Sequence, residues 1–335
     1  MRTPDPWSIP RAPFTLANVR PQGLTAERLE TAVRFGDIVR LRRGVYVAAD
    51  AVPERPDELH LLRAIAEQLV TPDLVASHET AALAHGLPLA RTLTAASASP
   101  RFIRPSAAEK RSRRTSRNLI SLAQLPDHHV VRLESGLVVT SVARTAVDLA
   151  SRLTMPEALM VLDAALRMEL ANLAGAIRRH TYRDSRRVSA AARPLTEAAH
   201  AVKGRRGRFL RAVLDLADVR RESPLESVSA GHFILAGLPR PEHQVAIETP
   251  HGTYHPDALW PEWRLIGEAD GEGKYADPQR VTAEKLRDGH LNDEGYRIVH
   301  WPGAEMFATP LRVVERVGRL LMARGWDGVV QPWSW

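Results

Sequence analysis

Residues 254–275 read YHPDALWPEWRLIGEADGEGKY, and this stretch decides how the C-terminal part of the chain is built. Two short apolar runs, Ala258-Leu259-Trp260 and Trp263 with Leu265-Ile266, flank a Pro261-Glu262 turn, the pattern of a β-hairpin. Asp257 falls on the first strand and Glu268 on the second. Side chains alternate along a strand, so Glu268 and Asp270 leave the same face. Gly271 and Gly273 then break the strand. Three acids on adjoining strands repel one another unless a cation, a proton or basic neighbours offset them. A hard divalent ion bound through carboxylate oxygens is one such solution.

The flanking elements extend the pattern on both sides. Ser223 is an N-cap for a helix over 224–236 with Glu226 in its first turn. Residues 244–248 read as a strand. Asp277-Pro278 opens a helix that runs to about 292, Pro suiting the first helical position. YRIVHWP is a buried strand, and residues 310–322 form a final helix. The expected order is α-β-β-β-α-β-α.

That order, with H-P-D at 255–257, E-A-D-G at 268–271, K-Y at 274–275, E-K-L-R-D at 284–288 and G-Y-R-I-V-H-W at 295–301, resembles the PD-(D/E)xK nuclease superfamily, in the branch similar to very-short-patch-repair endonucleases. The resemblance implies a restriction-endonuclease-like domain over 209–335 that hydrolyses phosphodiesters with Mg²⁺ (or Mn²⁺). It implies a catalytic set of Glu226, Asp257, Glu268, Asp270, Lys274 and Lys285, with Asp257, Glu268 and Asp270 as metal ligands. The chain departs from the family at one point: the lysine expected two residues after Glu268 is Asp270. The basic group then comes from Lys274 or Lys285. Lys285 is favoured because a helix holds a side chain more firmly than a Gly-flanked loop.

The N-terminal part has a different character. After a Pro-rich arm, residues 14–20 form a short helix, Thr25 caps a second one with Leu24, Leu29, Ala32 and Val33 on its apolar side, and Gly36 ends it. IVRLRRGVYVAA then alternates around an Arg42-Arg43-Gly44 turn. Helix, turn, helix and a hairpin with arginines at its tip describe a winged helix-turn-helix over 1–50. Its second helix offers Arg28, Thr31 and Arg34 to a major groove, and Arg40, Arg42 and Arg43 face phosphates or the minor groove. GLTAERLETAVRFGDIVRLRRGVYVAA is similar to the N-terminal domain of AbiEi-family antitoxins, and the resemblance continues through VASHETAALAHGLPL and LVVTSVARTAVDLA to about residue 170. It implies binding of double-stranded DNA, often with autoregulation, and it raises a cognate toxin protein as a further partner to test.

Between these modules, residues 51–177 read as an α+β middle domain, with helices over 57–70, 77–86 and 141–175 and strand-like runs over 91–140. His78 and His85 share a helix face without a third ligand, which points to packing or capping. Asp148 and Asp163 lie on helices, where surface or capping roles are the default. Residues 101–117 carry Arg101, Arg104, Lys110, Arg111, Arg113, Arg114 and Arg117, a basic loop suited to phosphates or to solvent. Residues 178–208 read as a basic helix followed by a linker.

Composition agrees with this frame. The 335 residues carry a formal net charge of +7 and no cysteine. The pI is about 10.2. A basic chain makes nucleic acid the first partner to consider. No apolar run is long enough to span a bilayer, and MRTPDPWSIP has no apolar segment of signal-peptide type, so a cytoplasmic protein is expected. No nucleotide-binding P-loop and no nucleophile-elbow motif is present. The expectation is a mixed α+β DNA-binding protein with a metal-dependent endonuclease domain, related to defence or toxin–antitoxin systems. The alternative is a non-enzymatic AbiEi-type regulator with a silent nuclease fold, and a third reading has the C-terminal half bind a protein toxin.

Overall fold

The computed structural model describes residues 9–90, 99–106, 112–114, 118–271, 278–331 and 333–334. The chain is mixed α+β with several small sheets and divides into two compact units, Met1–Asp148 and Leu149–Trp335. Among the described residues no helix is long and apolar enough to cross a membrane.

The first unit begins with α1 (Leu16–Val19) and α2 (Ala26–Phe35), followed by the antiparallel pair β1 (Ile38–Arg42) and β2 (Val45–Ala48). Thr25 Oγ1 accepts the Arg28 N–H at 3.3 Å, and Gly36 adopts φ 81° to end α2. Phe14, Val19, Leu24, Leu29, Ala32 and Ile38 close a small core. Next come α3 (Pro56–Val70), β3 (Val75–Ala76) and α4 (His78–His85). β4 (Arg101–Pro105), β5 (Ser112–Arg114), β6 (Leu119–Ala123), β7 (Val130–Arg132) and β8 (Val138–Thr140) follow. The sheet order is β5-β6-β4-β3-β8-β7, and α3 and α4 supply Ala64 and Ala81 to a core with Phe102 and Val139.

The basic stretch over 101–117 therefore includes two strands rather than forming one loop. Phe102 and Ile103 are buried and draw β4 into the sheet, while Arg101 pairs with Glu79 at 2.8 Å and Arg104 with Asp73 at 2.7 Å. Lys110, Arg111 and Arg117 lie outside the described residues, as does most of the run LTAASAS. His85 meets the Thr140 carbonyl at 2.7 Å, a packing role.

Helix α5 (Val142–Ala150) leads into the second unit, which opens on α6 (Met155–Ala174). The helix expected within residues 178–208 is present, and most of the linker expected after it is the start of a further helix. These residues form a 3₁₀ turn at Arg179–Arg183, α7 (Ser185–His200) and the start of α8 (Gly204–Leu214). Ala191, Leu195 and Ala198 of α7 and Leu210 and Val213 of α8 are buried, an apolar stripe set among arginines. Residue 208 thus falls inside a helix, and the two compact units meet at 148/149.

α9 (Pro224–Leu235) packs on α6, and a Cβ on Gly231 would stand 2.6 Å from the Pro156 Cα. β9 (Ile247–Thr249) and β10 (Gly252–Tyr254) form a separate ribbon. The hairpin from residue 258 is present as β11 (Ala258–Trp260) and β12 (Leu265–Asp270), joined by a 3₁₀ turn at Pro261–Trp263. α10 (Pro278–Asp293) returns the chain to β13 (Arg297–Pro302), which pairs parallel with β12. α11 (Gly303–Ala308) and α12 (Pro310–Ala323) follow. The order differs from the expected one by the extra strand β10 and the extra helix α11, and the expected strand over 244–248 is displaced into the ribbon.

Alternation divides this three-stranded sheet. Trp260 and Trp301 pack edge-on against Phe233 of α9, with Trp301 Nε1–H donating to Ser229 Oγ at 2.9 Å. Leu259 and Ile266 pack instead with Leu291 of α10. A Cβ on Gly267 would stand 2.5 Å from the Trp301 ring, so only glycine lets both tryptophans lie flat against the strand. Gly231→Ala and Gly267→Ala should each destabilise by about 1–3 kcal/mol through overpacking. Gly289→Ala, on α10 with nothing within 4 Å of the added atom, should stabilise by about 0.5–1 kcal/mol. Urea unfolding of the three variants checks both signs.

Candidate functional site

The acids of β12 are buried where the strand is central, Glu268 at 3% exposure and Asp270 at 1%. A buried carboxylate is tolerated only with close charge or hydrogen-bond partners. α10 supplies them. Glu284, Arg287, Asp288 and Leu291 recur at helical spacing on one face. Leu291 seats that face on the sheet, and Arg287 Nη2 lies 2.8 Å from Glu268 Oε1. The carboxylates around it, Glu268 foremost, raise the Arg287 pKa against the lowering effect of burial, so the guanidinium is charged.

Asp257 sits one residue before β11, across from Glu268 in the antiparallel register. Its Oδ2 accepts the Ala269 N–H at 2.9 Å and its Oδ1 the Gln244 amide at 3.5 Å. Glu226 occupies the first turn of α9, where Ser223 Oγ accepts its N–H at 3.2 Å and its own Oε2 accepts the Glu222 N–H at 2.9 Å. Burial, and then the charge of Asp257, push the Glu226 carboxyl up to about 7. Glu226, Asp257, Glu268 and Arg287 line one open cleft of about 620 Å³, with Phe307 at its wall.

The structure separates Asp270 from this group. Its Oδ2 lies 3.2 Å from His300 Nδ1 on β13, and His300 Nε2 lies 3.0 Å from Asp288 Oδ2. The hydrogen bond to Asp270 is the largest influence that pushes His300 up to about 9, so the ring is a cation at neutral pH. Asp270, Glu284 and His300 have ligand atoms within 4.8 Å of one another. In the metal-free state these groups form an ion-pair network around the His300 ring, and the same three side chains are close enough to hold a metal ion once the ring gives up a proton. Glu226, Asp257 and Glu268 share the cleft without forming so tight a cluster. Their hard oxygens suit Mg²⁺ or Mn²⁺, and Arg287 stands against one of the two Glu268 oxygens.

Of the two lysines considered for the site, Lys285 is exposed on α10 and Lys274 lies outside the described residues. The cation beside Glu268 is Arg287 instead. Its position was available from the phase of α10, since 284, 287, 288 and 291 share a face that 285 does not. A second missed feature is the support behind Asp257. Asp163 on α6, 1% exposed at its side chain, forms a bidentate pair with Arg221 at 2.6 and 3.0 Å, so it is neither a surface nor a capping residue. Arg221 Nη1 lies 3.4 Å from His243 Nε2, and His243 Nδ1–H donates to the Asp257 carbonyl at 2.6 Å. Burial, reinforced by Arg221, holds His243 down near about 4, so the ring is neutral. No sequence signal links these positions.

In the first unit, Arg28, Thr31 and Arg34 are exposed on α2, with Thr31 Oγ1–H donating to the Glu27 carbonyl at 2.8 Å. Arg40 and Arg43 are exposed on the β1–β2 hairpin. Arg42 is not available to a ligand in the same way: its Nη1 lies 2.6 Å from Glu67 Oε2 on α3, with both side chains largely buried.

Two proteins of Mycobacterium tuberculosis are similar to this chain along nearly all of their own length. They are the uncharacterized proteins MT2308 (strain CDC 1551 / Oshkosh) and Rv2248 (strain ATCC 25618 / H37Rv). Each is 29% identical over 301 residues, covering 89% of this chain and 97% of the relative. No family model matches the chain.

The raised pKa of Glu226 sets a pH dependence. Between the ordinary value of 4.5 and the folded value of about 7 the folded state holds a proton that the unfolded state has released. Stability from this group is therefore fully present below pH 4.5 and is lost as pH rises through 7. Glu226→Gln keeps the acceptor for Glu222 N–H and cannot ionise. It should stabilise at pH 8 by on the order of 1–3 kcal/mol and be near neutral at pH 4, as read by denaturant melts across that range.

Proposed function

We propose that the chain is a DNA-binding protein whose second unit is a Mg²⁺- or Mn²⁺-dependent endonuclease, with a nuclease-like arrangement on α9, β11, β12 and α10. The observation that carries this reading is the meeting of Glu226, Asp257 and Glu268, three carboxylates from separate elements, in one cleft with the cationic Arg287. A bound Mg²⁺ at Asp257 and Glu268 supplies neutralisation of phosphate charge and a more acidic water. The chain's own groups divide the remaining work. Arg287, freed from Glu268, holds a phosphate oxygen through its fork of N–H donors. It cannot act as a base, because a guanidinium does not lose its proton. Glu226, with a pKa of about 7, is the cleft group matched to accept a proton from water at neutral pH. Asp257 is kept in place by the Ala269 N–H and by His243 at its carbonyl.

With plasmid DNA and Mg²⁺ or Mn²⁺, the full chain should nick or cut, EDTA should abolish this, and Asp257→Ala or Glu268→Ala should lower the rate by roughly 100-fold or more. Equal nicking by the wild type and both variants marks a contaminant and removes the reading.

The α1–α2 helices with the β1–β2 hairpin support a winged-helix DNA contact as part of the same proposal, with double-stranded DNA as the partner. Because Arg42 is committed to Glu67, the test uses the exposed pair. Arg40→Ala with Arg43→Ala should weaken binding and reduce the slope of log affinity against log salt by about 2. An unchanged slope counts against the hairpin as a phosphate contact.

Three observations favour the second reading, a non-enzymatic AbiEi-type regulator. Asp270 stands where a nuclease lysine is expected, Lys285 points to solvent, and Arg287 neutralises Glu268. DNA binding without any metal-dependent cutting selects that reading. Co-purification tests whether that reading also brings a cognate toxin as a partner.

A further inference from the structure

A second cleft lies beside the acid one. It has a volume of about 290 Å³, and its walls include Arg179, Arg183, Arg220, His243, Gln244 and His255. Arg179 and Arg183 stand at the two ends of the 3₁₀ turn that joins α6 to α7. Among the described residues no carboxylate pairs with either, and both are exposed. Arg220 is different, being held by Asp218 at 2.7 and 3.0 Å. His255 lies two residues before Asp257 in the chain. Its ring lines the same cleft as the Arg179 and Arg183 side chains.

The two clefts share a wall. Gln244 donates its side-chain amide to Asp257 Oδ1 at 3.5 Å and its backbone N–H to the Pro256 carbonyl at 3.0 Å. His243, behind it, bonds the Asp257 carbonyl. One cleft thus gathers carboxylates and its neighbour two exposed arginines, with a single chain segment between them. Two guanidinium forks and an imidazole around a small open cavity match the shape and charge of one phosphate group. At about 290 Å³ the cavity is at the small end for a drug-sized ligand.

We propose that this basic cleft is a phosphate subsite, in which Arg179 and Arg183, with His255 on the wall, hold one phosphate of a nucleic-acid strand whose neighbouring phosphodiester lies in the acid cleft. The subsite rests on the nuclease reading for its placement, but it is read out by binding alone. That phosphate is either an internal phosphodiester or a strand terminus.

The test measures fluorescence anisotropy in EDTA with the full chain carrying Arg40→Ala and Arg43→Ala, so that the first unit contributes less. The probes are a short duplex with 5′-phosphate ends and the same duplex with 5′-hydroxyl ends. Adding Arg179→Ala and Arg183→Ala should weaken binding by roughly tenfold and lower the salt slope by about 2, with the melting temperature unchanged. Arg179→Lys with Arg183→Lys should lose less, because charge is kept while the fork is not. A preference for the 5′-phosphate probe that vanishes in the alanine variant assigns the subsite to a strand end. Equal affinities, both weakened by the variant, assign it to an internal phosphodiester. Unchanged binding of both probes by the alanine variant overturns the proposal even if the full chain cuts DNA. Arginine-dependent binding in a chain that never cuts retains the subsite and removes the nuclease.

Discussion

Two carboxylates buried on the central strand of a three-stranded sheet impose the constraint that organises the second unit. Glu268 and Asp270 leave the same face of β12, and neither reaches bulk water. Charges taken out of water are tolerated only when cations stand close enough to repay the lost hydration. Arg287 meets one and His300 the other, and each needs its own element, α10 for the arginine and β13 for the histidine. The parallel register that sets Glu268 beside His300 and the helix that covers both are thus tied to one electrostatic problem. The opposite face of the same sheet answers to packing instead, with Trp260, Trp301 and Phe233 closing around Gly267.

The cleft draws its third acid from outside the sheet. Glu226 reaches it from the first turn of α9, and Asp257 is steadied from behind by a relay that begins on α6, from Asp163 to Arg221 to His243. Removing one member of a buried pair strands the other, so this relay couples the helical layer to the position of a cleft carboxylate. The same chain segment forms the wall of the basic cleft, which explains why acidic and basic surfaces lie so close without cancelling. The acids stand on α9, just before β11 and on β12, and the arginines on the turn before α7.

A surplus of positive charge does not by itself mark a nucleic-acid surface here. Arg42, Arg101 and Arg104 in the first unit are spent on Glu67, Glu79 and Asp73. In the second unit Arg221 is buried and Arg316 is clamped by Glu305 at 2.8 Å. What distinguishes Arg40, Arg43, Arg179 and Arg183 is their exposure rather than their number. The basic run read as a loop, 101–117, contributes to a sheet, and the run read as a helix and linker, 178–208, is helical on both sides of a short break, because apolar residues at the right spacing lie between the arginines. Phe102 and Ile103 do this for β4, and Leu195, Leu210 and Val213 for α7 and α8.

The sequence by itself determined the local elements of the candidate site. The alternation around Pro261-Glu262 specified the hairpin, the two-residue spacing set Glu268 and Asp270 on one face, and Ser223 and Asp277-Pro278 marked where two helices begin. The phase of α10 also held the answer to which cation turns inward, since Arg287 shares the face of Leu291 and Lys285 does not. Only the tertiary structure decided which charge neutralises which. Arg42 and Glu67, Asp163 and Arg221, and Asp270 and His300 are far apart in the chain, and nothing in local spacing joins them. Periodicity reports the direction a side chain takes from its own backbone. The partner it meets depends on how separate elements pack, and Coulomb attraction between buried groups acts only once that packing has brought them within a few ångströms.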